Sequence, residues 1–271
     1  MITIHEVGPR DGLQSYPVKL GIGQRAELIE SLADSGIQNI EVGAFVHPKK
    51  VPNMEDSIIV YERVAHLPCN LSVLVPNEYG MQMSRNVGVE FVNVFFSHSE
   101  EFNRRNLGCG LEDIVEKYRR MLSGFPKENV KVYLSCIFGC PFTGFPSEEE
   151  ILRVVDYADE IGGLIVLCDT VGVATEKAIE DMLKLLKGYD VSLHLHGNDL
   201  IPKVEVAYYS GVKNFDASIN GLGGCPFVPN IHGNLPTEDL VDWANRNGVS
   251  TGIDLEKLNM VNIGGELVCH G

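Results

Sequence analysis

Short apolar runs alternate with longer amphipathic stretches along almost the whole chain. The runs are rich in Val, Ile, Leu and Phe, a composition typical of buried strands. They fall at residues 2–7, 37–43, 70–75, 89–96, 130–137, 164–168, 191–196 and 214–219. The intervening stretches place apolar residues three and four positions apart, which predicts helices. The clearest of these helices cover 22–35, 111–124, 147–162, 175–188 and 254–268.

This alternation predicts an α/β fold with a parallel sheet covered by helices. Eight strand–helix units favour a closed (β/α)₈ TIM barrel over an open doubly wound sheet, and no Gly-x-Gly-x-x-Gly motif follows the first run. Because no low-complexity linker divides the 271 residues, we predict one domain over 1–271. Two segments, about 97–110 and 220–235, lack a clear period and are expected to be irregular loops.

Composition narrows the class of protein. The chain has 22 basic and 37 acidic residues, and its net charge of −15 argues against nucleic acid as a partner. It has no run of 18 apolar residues and no signal-like N-terminus, so no membrane association is expected. Seven cysteines, an odd number without a Cys-x-x-Cys pair, indicate free thiols. We therefore predict a cytoplasmic protein.

Polar residues gather at the ends of the predicted strands. In a barrel of this type the loops that follow the strands form the active face, so these positions are candidates for chemistry. They are Arg10, Asp11, Glu41, Asp169, Thr170, His194, His196, Asn220, Cys225 and Asn234.

His194-Leu195-His196 is the most informative local pattern. Residues two apart on a strand face the same side, so both imidazoles point one way. Together with the Asp11 carboxylate and the Asn234 amide oxygen they make a nitrogen and oxygen set suited to Mg²⁺ or Mn²⁺, with Zn²⁺ possible. The alternative is that the two histidines are ordinary half-buried residues.

The other candidates also have structural alternatives. Asp11 before Gly12 is compatible with a turn, Arg10 with a simple ion pair to Glu41, and Asp169 with a loop cap. Cys225 follows three glycines at 221, 223 and 224, which let a loop approach a ligand closely. Gly-Cys-Pro-Phe also occurs at 139–142, but without such a loop; Cys140 is therefore assigned to packing.

Several motifs together resemble the 3-hydroxy-3-methylglutaryl-CoA lyase family of metal-dependent TIM-barrel lyases and condensing synthases. The resemblance runs from residue 2 to about 269. It is carried by 5–14 (HEVGPRDGLQ), 40–49, 169–172 (DTVG), 194–196 (HLH) and 221–226 (GLGGCP).

The resemblance implies a role for each matching residue. Asp11, His194, His196 and Asn234 would bind the divalent metal, with Glu238 supporting Asn234. Arg10 would stabilise an enolate oxygen, Cys225 would transfer a proton, and His194 would add acid–base help, while Glu41 and Asp169 would organise the site. Thr170 and Asn106 would lie near the substrate. Phe45 and Val46 would lie near the route of an acyl-CoA, and a homodimer is expected. From their charge alone, Lys49, Lys50, Arg104 and Arg105 are expected along the entrance.

The implied activity is cleavage of 3-hydroxy-3-methylglutaryl-CoA to acetyl-CoA and acetoacetate. Some positions depart from the family pattern: Ala44 replaces a substrate-facing serine, His47 replaces a small polar residue, and 197–200 (GNDL) resembles the synthases. A lyase or Claisen-condensing synthase for another acyl-CoA or 2-oxo acid is therefore an alternative. A non-catalytic barrel that binds metal or CoA is a third hypothesis.

Overall fold

The strands form a closed parallel barrel in chain order. The computed structural model describes residues 1–47, 49–224 and 233–263. Each strand pairs with the next, and β8 closes on β1 with Thr3 opposite Asn214. The strands β1 to β8 are Thr3–Glu6, Asn39–Ala44, Asn70–Leu74, Phe91–Ser97, Val130–Ser135, Leu164–Asp169, Val191–Leu195 and Asn214–Ala217. The predicted (β/α)₈ barrel is confirmed.

Helices connect the strands and cover the barrel. Along the described residues α1 to α10 are Ile22–Asp34, Ser57–Val64, Glu78–Asn86, Glu100–Leu107, Leu111–Met121, Glu148–Ile161, Glu176–Leu185, Ile201–Tyr209, Thr237–Arg246 and Leu255–Asn259. The start of α6 shows how local sequence sets a boundary. Ser147 Oγ accepts the Glu150 N–H, and the Glu150 carboxylate accepts the Ser147 N–H, which is a capping box.

The predicted strands are present, but some boundaries differ from the apolar pattern. β1 ends at Glu6 because the Val7 carbonyl accepts the N–H groups of Arg10, Asp11 and Gly12 and starts a tight turn. β8 ends at Ala217 because a short 3₁₀ turn begins at Ile219. Apolar residues continue through both ends, so the sequence pattern alone does not mark them.

The expectation of an irregular loop at about 97–110 is wrong, because α4 occupies most of it. Ser99 Oγ caps the N–H of Phe102, and Gly108 ends the helix at φ 80°. Two pairs four residues apart, Glu100–Arg104 and Glu101–Arg105, add side-chain contacts. Capping and charge define this helix, and it lacks the apolar period used to predict helices. Of the predicted helix 254–268, α10 is described and residues 264–271 lie outside the described part.

The core has an apolar layer between strands and helices and a polar barrel interior. The apolar layer includes Leu28, Val60, Tyr118 and Val154, all essentially inaccessible to solvent. Inside the barrel, Lys131 of β5 contacts Asp216 of β8, and because these strands are not neighbours the contact crosses the interior. Polar groups such as Lys131 and Asp216 therefore fill part of the barrel interior. No helix in the described segments is long and apolar enough to cross a membrane.

Candidate active site

A buried turn after β1 brings Arg10 and Asp11 over the barrel mouth. Residues Gly8–Gly12 form one π-helical turn, with Pro9 at a position where the missing N–H costs no hydrogen bond. Arg10 and Asp11 are only 7% and 8% exposed. A charged pair this deeply buried needs partners, and each finds them within the site.

Asp11 meets the two histidines of β7. One ligand atom from each of Asp11, His194 and His196 lies within 4.8 Å of the others, and all three side chains are buried. His194 Nε2 and His196 Nε2 are 3.0 Å apart. Two nitrogens each about 2.1 Å from one octahedral ion, at a right angle, are also about 3.0 Å apart. The spacing therefore fits a divalent cation.

Asn234 completes this donor set. A β-bridge to His196 places it beside the histidines. Its Nδ2 donates to Asp11 Oδ2 at 2.8 Å and to the Leu222 carbonyl at 2.7 Å. Its Oδ1 is buried and has no hydrogen-bond partner among the described residues. An orphaned amide oxygen beside one carboxylate and two imidazoles is what a bound cation would satisfy.

The charges of the site suit a cation. Burial raises the pKa of Asp11, but the Arg10 guanidinium and the two histidines outweigh it and lower the pKa to about 2, so the carboxylate is ionised. Burial and the neighbouring His194 lower the pKa of His196 to about 4. His196 is therefore neutral at pH 7, and a ring nitrogen keeps a lone pair for a metal.

Arg10 is held in place on two sides. Its Nη1 lies 2.7 Å from Asp11 Oδ1, and its Nε and Nη2 both contact Glu41. Its guanidinium also lies 5.9 Å from the centre of the Tyr133 ring. Burial opposes the charge, but Glu41 and Asp11 outweigh burial and raise the arginine pKa. Arg10 is a fixed cation next to the candidate metal site.

The loop after β6 is organised by Asp169. Its carboxylate accepts the N–H groups of Val173 and Ala174 at 2.8 and 3.0 Å. Lys203 of α8 lies 3.9 Å from the same carboxylate. Thr170 Oγ1 accepts the Cys136 N–H at 2.7 Å, which joins this loop to the loop after β5. These contacts fix Thr170 at the edge of a cavity.

That cavity has a volume of about 440 Å³ and opens at the barrel mouth. It exposes Arg10, Asp11, His194 and His196 on one side. The other lining residues are Gln14, Ser15, Lys50, Val51, Leu74, Phe95, Phe102, Asn106, Tyr133, Ser135, Cys168, Thr170 and Gly224. Thus the predicted substrate residues Thr170 and Asn106, and the predicted entrance residue Lys50, all face the same space.

The placement of Phe45 differs from the expectation. Phe45 does not line this cavity: it is 2% exposed and packs edge-on against Tyr61, with ring centres 6.3 Å apart. The apolar wall of the cavity comes instead from Val51, Leu74, Phe95 and Phe102. The Phe45 side chain therefore contributes to packing and not to the wall of this cavity.

Glu238, Arg104 and Arg105 have described contacts with residues other than the predicted metal ligands. Glu238 accepts the Asn220 N–H with both oxygens at 3.0 Å, so it supports the start of the loop that leads toward Asn234. Arg104 and Arg105 lie on α4 in exposed pairs with glutamates, and Arg105 stacks 4.3 Å from the Phe142 ring centre. Cys225 lies outside the described residues; Gly224, the last one before it, lines the cavity.

Sequence reasoning missed three residues that contact the site. Gln14 donates to Asp11 Oδ1 at 2.9 Å, Asn93 donates to Glu41 Oε1 at 2.8 Å, and Asp216 lies 3.3 Å from His194. Asn93 and Asp216 are polar residues within apolar strands. That interruption is the signal that could have found them, since a polar side chain inside a barrel strand needs a partner.

Comparison with known proteins yields one family and several similar enzymes. The HMGL-like family model matches residues 1–263. A hydroxymethylglutaryl-CoA lyase of Pseudomonas mevalonii is 37% identical over 97% of this chain and 90% of its own. An (R)-citramalyl-CoA lyase of Chloroflexus aurantiacus is 35% identical over 95% of this chain and 87% of its own. A solved HMG-CoA lyase of Acinetobacter baumannii, in complex with coenzyme A and 3-methylmalate, superposes with a TM-score of 0.90 at 31% identity, covering 96% of this chain and 88% of that one.

Proposed function

The chain belongs to the HMGL-like family, and we propose that it is a divalent-metal-dependent carbon–carbon lyase that cleaves 3-hydroxy-3-methylglutaryl-CoA to acetyl-CoA and acetoacetate. One observation carries the proposal: Asp11, His194 and His196 converge within 4.8 Å beside the buried cation Arg10. A retro-Claisen-type cleavage needs both features, a site that acidifies a tertiary hydroxyl and a positive charge where an enolate forms.

The reaction divides naturally among the residues of the site. Asp11, His194, His196 and Asn234 would hold a divalent cation, which would lower the pKa of the substrate hydroxyl and orient it. The hydroxyl proton passes to solvent and the C2–C3 bond breaks. The electron pair of that bond becomes the acetyl-CoA enolate, and the other fragment leaves as a ketone. Arg10 stabilises the enolate oxygen, a charge that exists only late in the reaction. Cys225 supplies the proton that converts the enolate to acetyl-CoA and regains one from solvent. His194 ranks behind Cys225 as an acid or base, because its two ring nitrogens face the metal site and Asp216.

The remaining site residues position these groups. Glu41 holds Arg10, and Asp169 holds the loop that carries Thr170, which with Asn106 lines the substrate cavity. Glu238 supports the Asn220 loop and through it Asn234. Lys50 at the cavity, with Lys49 and the α4 arginines Arg104 and Arg105, provides positive charge for the phosphates of CoA in a protein of net charge −15.

The metal is proposed to be Mg²⁺ or Mn²⁺, because the Asp11 carboxylate and the Asn234 amide oxygen supply half of the four donors and these ions favour oxygen ligands. Zn²⁺ is compatible with the same ligands. We also propose a cytoplasmic enzyme that forms a homodimer. Four described cysteines, Cys69, Cys109, Cys140 and Cys168, are free thiols, as is usual in a reducing compartment.

Citramalyl-CoA is the second candidate substrate. The Chloroflexus relative cleaves that compound by name, and the Acinetobacter structure holds 3-methylmalate, whose carbon skeleton matches the citramalyl group. Ala44, at the end of β2, replaces the family's substrate-facing serine with a side chain that cannot hydrogen-bond.

The test is product analysis with the metal-loaded protein. 3-Hydroxy-3-methylglutaryl-CoA and both enantiomers of citramalyl-CoA are each incubated with Mg²⁺ or Mn²⁺, and acetyl-CoA and the keto acid are quantified. His196→Gln should abolish turnover, whereas His66→Gln, the same change at an exposed histidine, should not. Acetyl-CoA release from citramalyl-CoA alone would assign the second substrate. Metal binding without cleavage of either thioester, or condensation only, would contradict the lyase proposal.

A further inference from the structure

A buried ion pair lies beneath the candidate metal site, in the interior of the barrel. Lys131 Nζ is 3.2 Å from Asp216 Oδ1, and the two side chains are 13% and 0% exposed. Lys131 Nζ also donates to the Tyr133 hydroxyl at 3.2 Å. Neither Lys131 nor Asp216 has a part in the proposed reaction. Burying such a pair is costly, and one that only filled space could be replaced by apolar residues without loss of stability.

The second oxygen of Asp216 faces a metal-ligand residue. Asp216 Oδ2 is 3.3 Å from His194 Nδ1. A carboxylate can only accept a hydrogen bond, so this contact places the imidazole proton on Nδ1. The lone pair of His194 then lies on Nε2, the nitrogen that faces His196 at 3.0 Å. Histidines that bind metals are commonly oriented in this way by a carboxylate behind the ring.

Lys131 determines which part of the carboxylate faces His194. An ammonium group only donates hydrogen bonds, so the group nearest to it must be an acceptor. This requirement is met by Oδ1 and leaves Oδ2 for the histidine. A chain of hydrogen bonds therefore runs from Lys131 on β5, through Asp216 on β8, to His194 on β7.

We infer that Asp216, held by Lys131, is a positioning residue that keeps His194 in the Nδ1–H tautomer and thereby sets the affinity of the site for its divalent cation. The inference rests on the metal site of the proposed function but concerns residues that never touch substrate. It predicts that the conservative substitution Asp216→Asn changes the tautomer of His194.

Asp216→Asn should invert the tautomer. Next to Lys131 the amide must present its oxygen, so its NH₂ group faces His194 Nδ1. Nδ1 then has to accept, the imidazole proton moves to Nε2, and the lone pair needed for the metal is lost. If Lys131 is also changed to Met, the ammonium no longer requires the amide oxygen. The Tyr133 hydroxyl, which also hydrogen-bonds the side chain at position 216, can donate or accept, so the amide can rotate and offer its oxygen to His194.

Titration calorimetry of the metal-free proteins with Mn²⁺ tests this order. We expect Asp216→Asn to bind Mn²⁺ about 10- to 100-fold more weakly than wild type, and the Lys131→Met/Asp216→Asn protein to recover part of that loss. Asp190→Asn, the same change at an exposed carboxylate before β7, is the matched control and should bind as wild type does. Wild-type affinity in Asp216→Asn, or no recovery in the double variant, would overturn the inference.

A second measurement does not require the variant to fold. In ¹⁵N-histidine-labelled, metal-free wild-type protein, two-bond ¹H–¹⁵N correlations report which ring nitrogen carries the proton, and His194→Gln identifies the His194 signals among the eight histidines. Protonation at Nδ1 supports the inference, and protonation at Nε2 overturns it. If wild type binds no Mn²⁺, the proposed function fails, while this spectrum still decides the tautomer.

Discussion

Arg10 Nε and Nη2 both lie 2.7 Å from the same oxygen of Glu41, Oε2. The other oxygen of Glu41 accepts a hydrogen bond from Asn93, so the carboxylate cannot turn away from the arginine. Both charged side chains are almost completely buried. The guanidinium is thus oriented before substrate arrives, which is the condition under which a fixed charge stabilises a transition state most effectively.

Arg10→Met should depress kcat much more than it weakens binding. Methionine keeps much of the packing but removes the charge at the proposed enolate oxygen. By comparison with other charge-stabilising groups we expect kcat to fall about 100- to 1,000-fold. Steady-state kinetics with the preferred thioester give kcat and KM separately, and Arg246→Met is the control at an exposed arginine of α9. A change confined to KM would mean that Arg10 only holds the substrate.

Gly223→Ala should weaken metal binding. A Cβ at residue 223 would lie 2.4 Å from Asn234 Nδ2 and 3.2 Å from Asp11 Oδ2, so the new methyl group would displace a metal ligand. Gly223 also has φ +116°, which is unfavourable for alanine. We expect at least a 10-fold loss in Mn²⁺ affinity by calorimetry.

Gly188→Ala separates these two effects. Gly188 has a similar φ of +111°, but nothing lies within 4 Å of its Cβ position. The backbone strain should therefore lower the Tm of this variant while its affinity for Mn²⁺ stays at the wild-type value. Equal affinities in the two variants would show that Gly223 is not needed for the approach to Asn234.

The sequence predicts the barrel and the shared orientation of the two histidines, for identifiable reasons. Strand–helix alternation is a local, repeated signal, and two histidines separated by one residue must share a face of a strand. Helix α4 was not predicted, because its ends are fixed by Ser99 and Gly108 and it lacks an apolar stripe. The contact between Lys131 and Asp216 could not be predicted, because they are 85 positions apart and only closure of the barrel brings them together.

Phe45 was expected along the acyl-CoA route but packs against Tyr61, and this difference has another cause. The motif shared with the family is continuous across Glu41, Ala44 and Phe45, but the backbone register shifts between Glu41 and Gly43. After this irregularity, alternation no longer tells which side chains face the interior. Glu41 reaches Arg10, whereas Phe45 packs outward against Tyr61. A register shift inside a strand is a tertiary feature that spacing cannot reveal.

Cys225→Ser should greatly reduce turnover and leave metal binding nearly unchanged. The hydroxyl of serine has nearly the same size as a thiol but is a much weaker acid, so proton delivery to the enolate should slow. Mn²⁺ affinity measured by calorimetry and the rate of acetyl-CoA formation distinguish the two effects. Cys69→Ser, at a described cysteine far along the chain from the motif, is the control. A wild-type rate in Cys225→Ser would remove this thiol from the mechanism.

Glu6 links three segments that surround the site. Its Oε1 accepts the N–H groups of Gly8 and Ile219 at 2.7 and 3.0 Å, and its Oε2 accepts the Thr237 hydroxyl at 2.6 Å. Burial raises the pKa of this carboxyl to about 7; the three hydrogen bonds oppose the rise, and the charge of Glu238 adds to it. The turn that carries Arg10 and Asp11 is therefore fastened to the loop after β8 by a group that titrates near neutral pH.

Glu6→Gln should remove a pH-dependent loss of stability. Below its ordinary pKa of 4.5 the carboxyl is protonated in both folded and unfolded chains. As the pH rises from about 4.5 to about 7, the unfolded chain releases the proton more readily, so the free energy of unfolding falls by up to about 3 kcal/mol and then levels off. Glutamine has the same shape and does not titrate: its oxygen can accept both N–H groups, and its NH₂ can donate to Thr237. Urea unfolding of both proteins from pH 5 to 8 should show the variant gaining stability relative to wild type as the pH rises, with Glu128→Gln as the exposed control; a difference that is constant across this range would contradict the raised pKa.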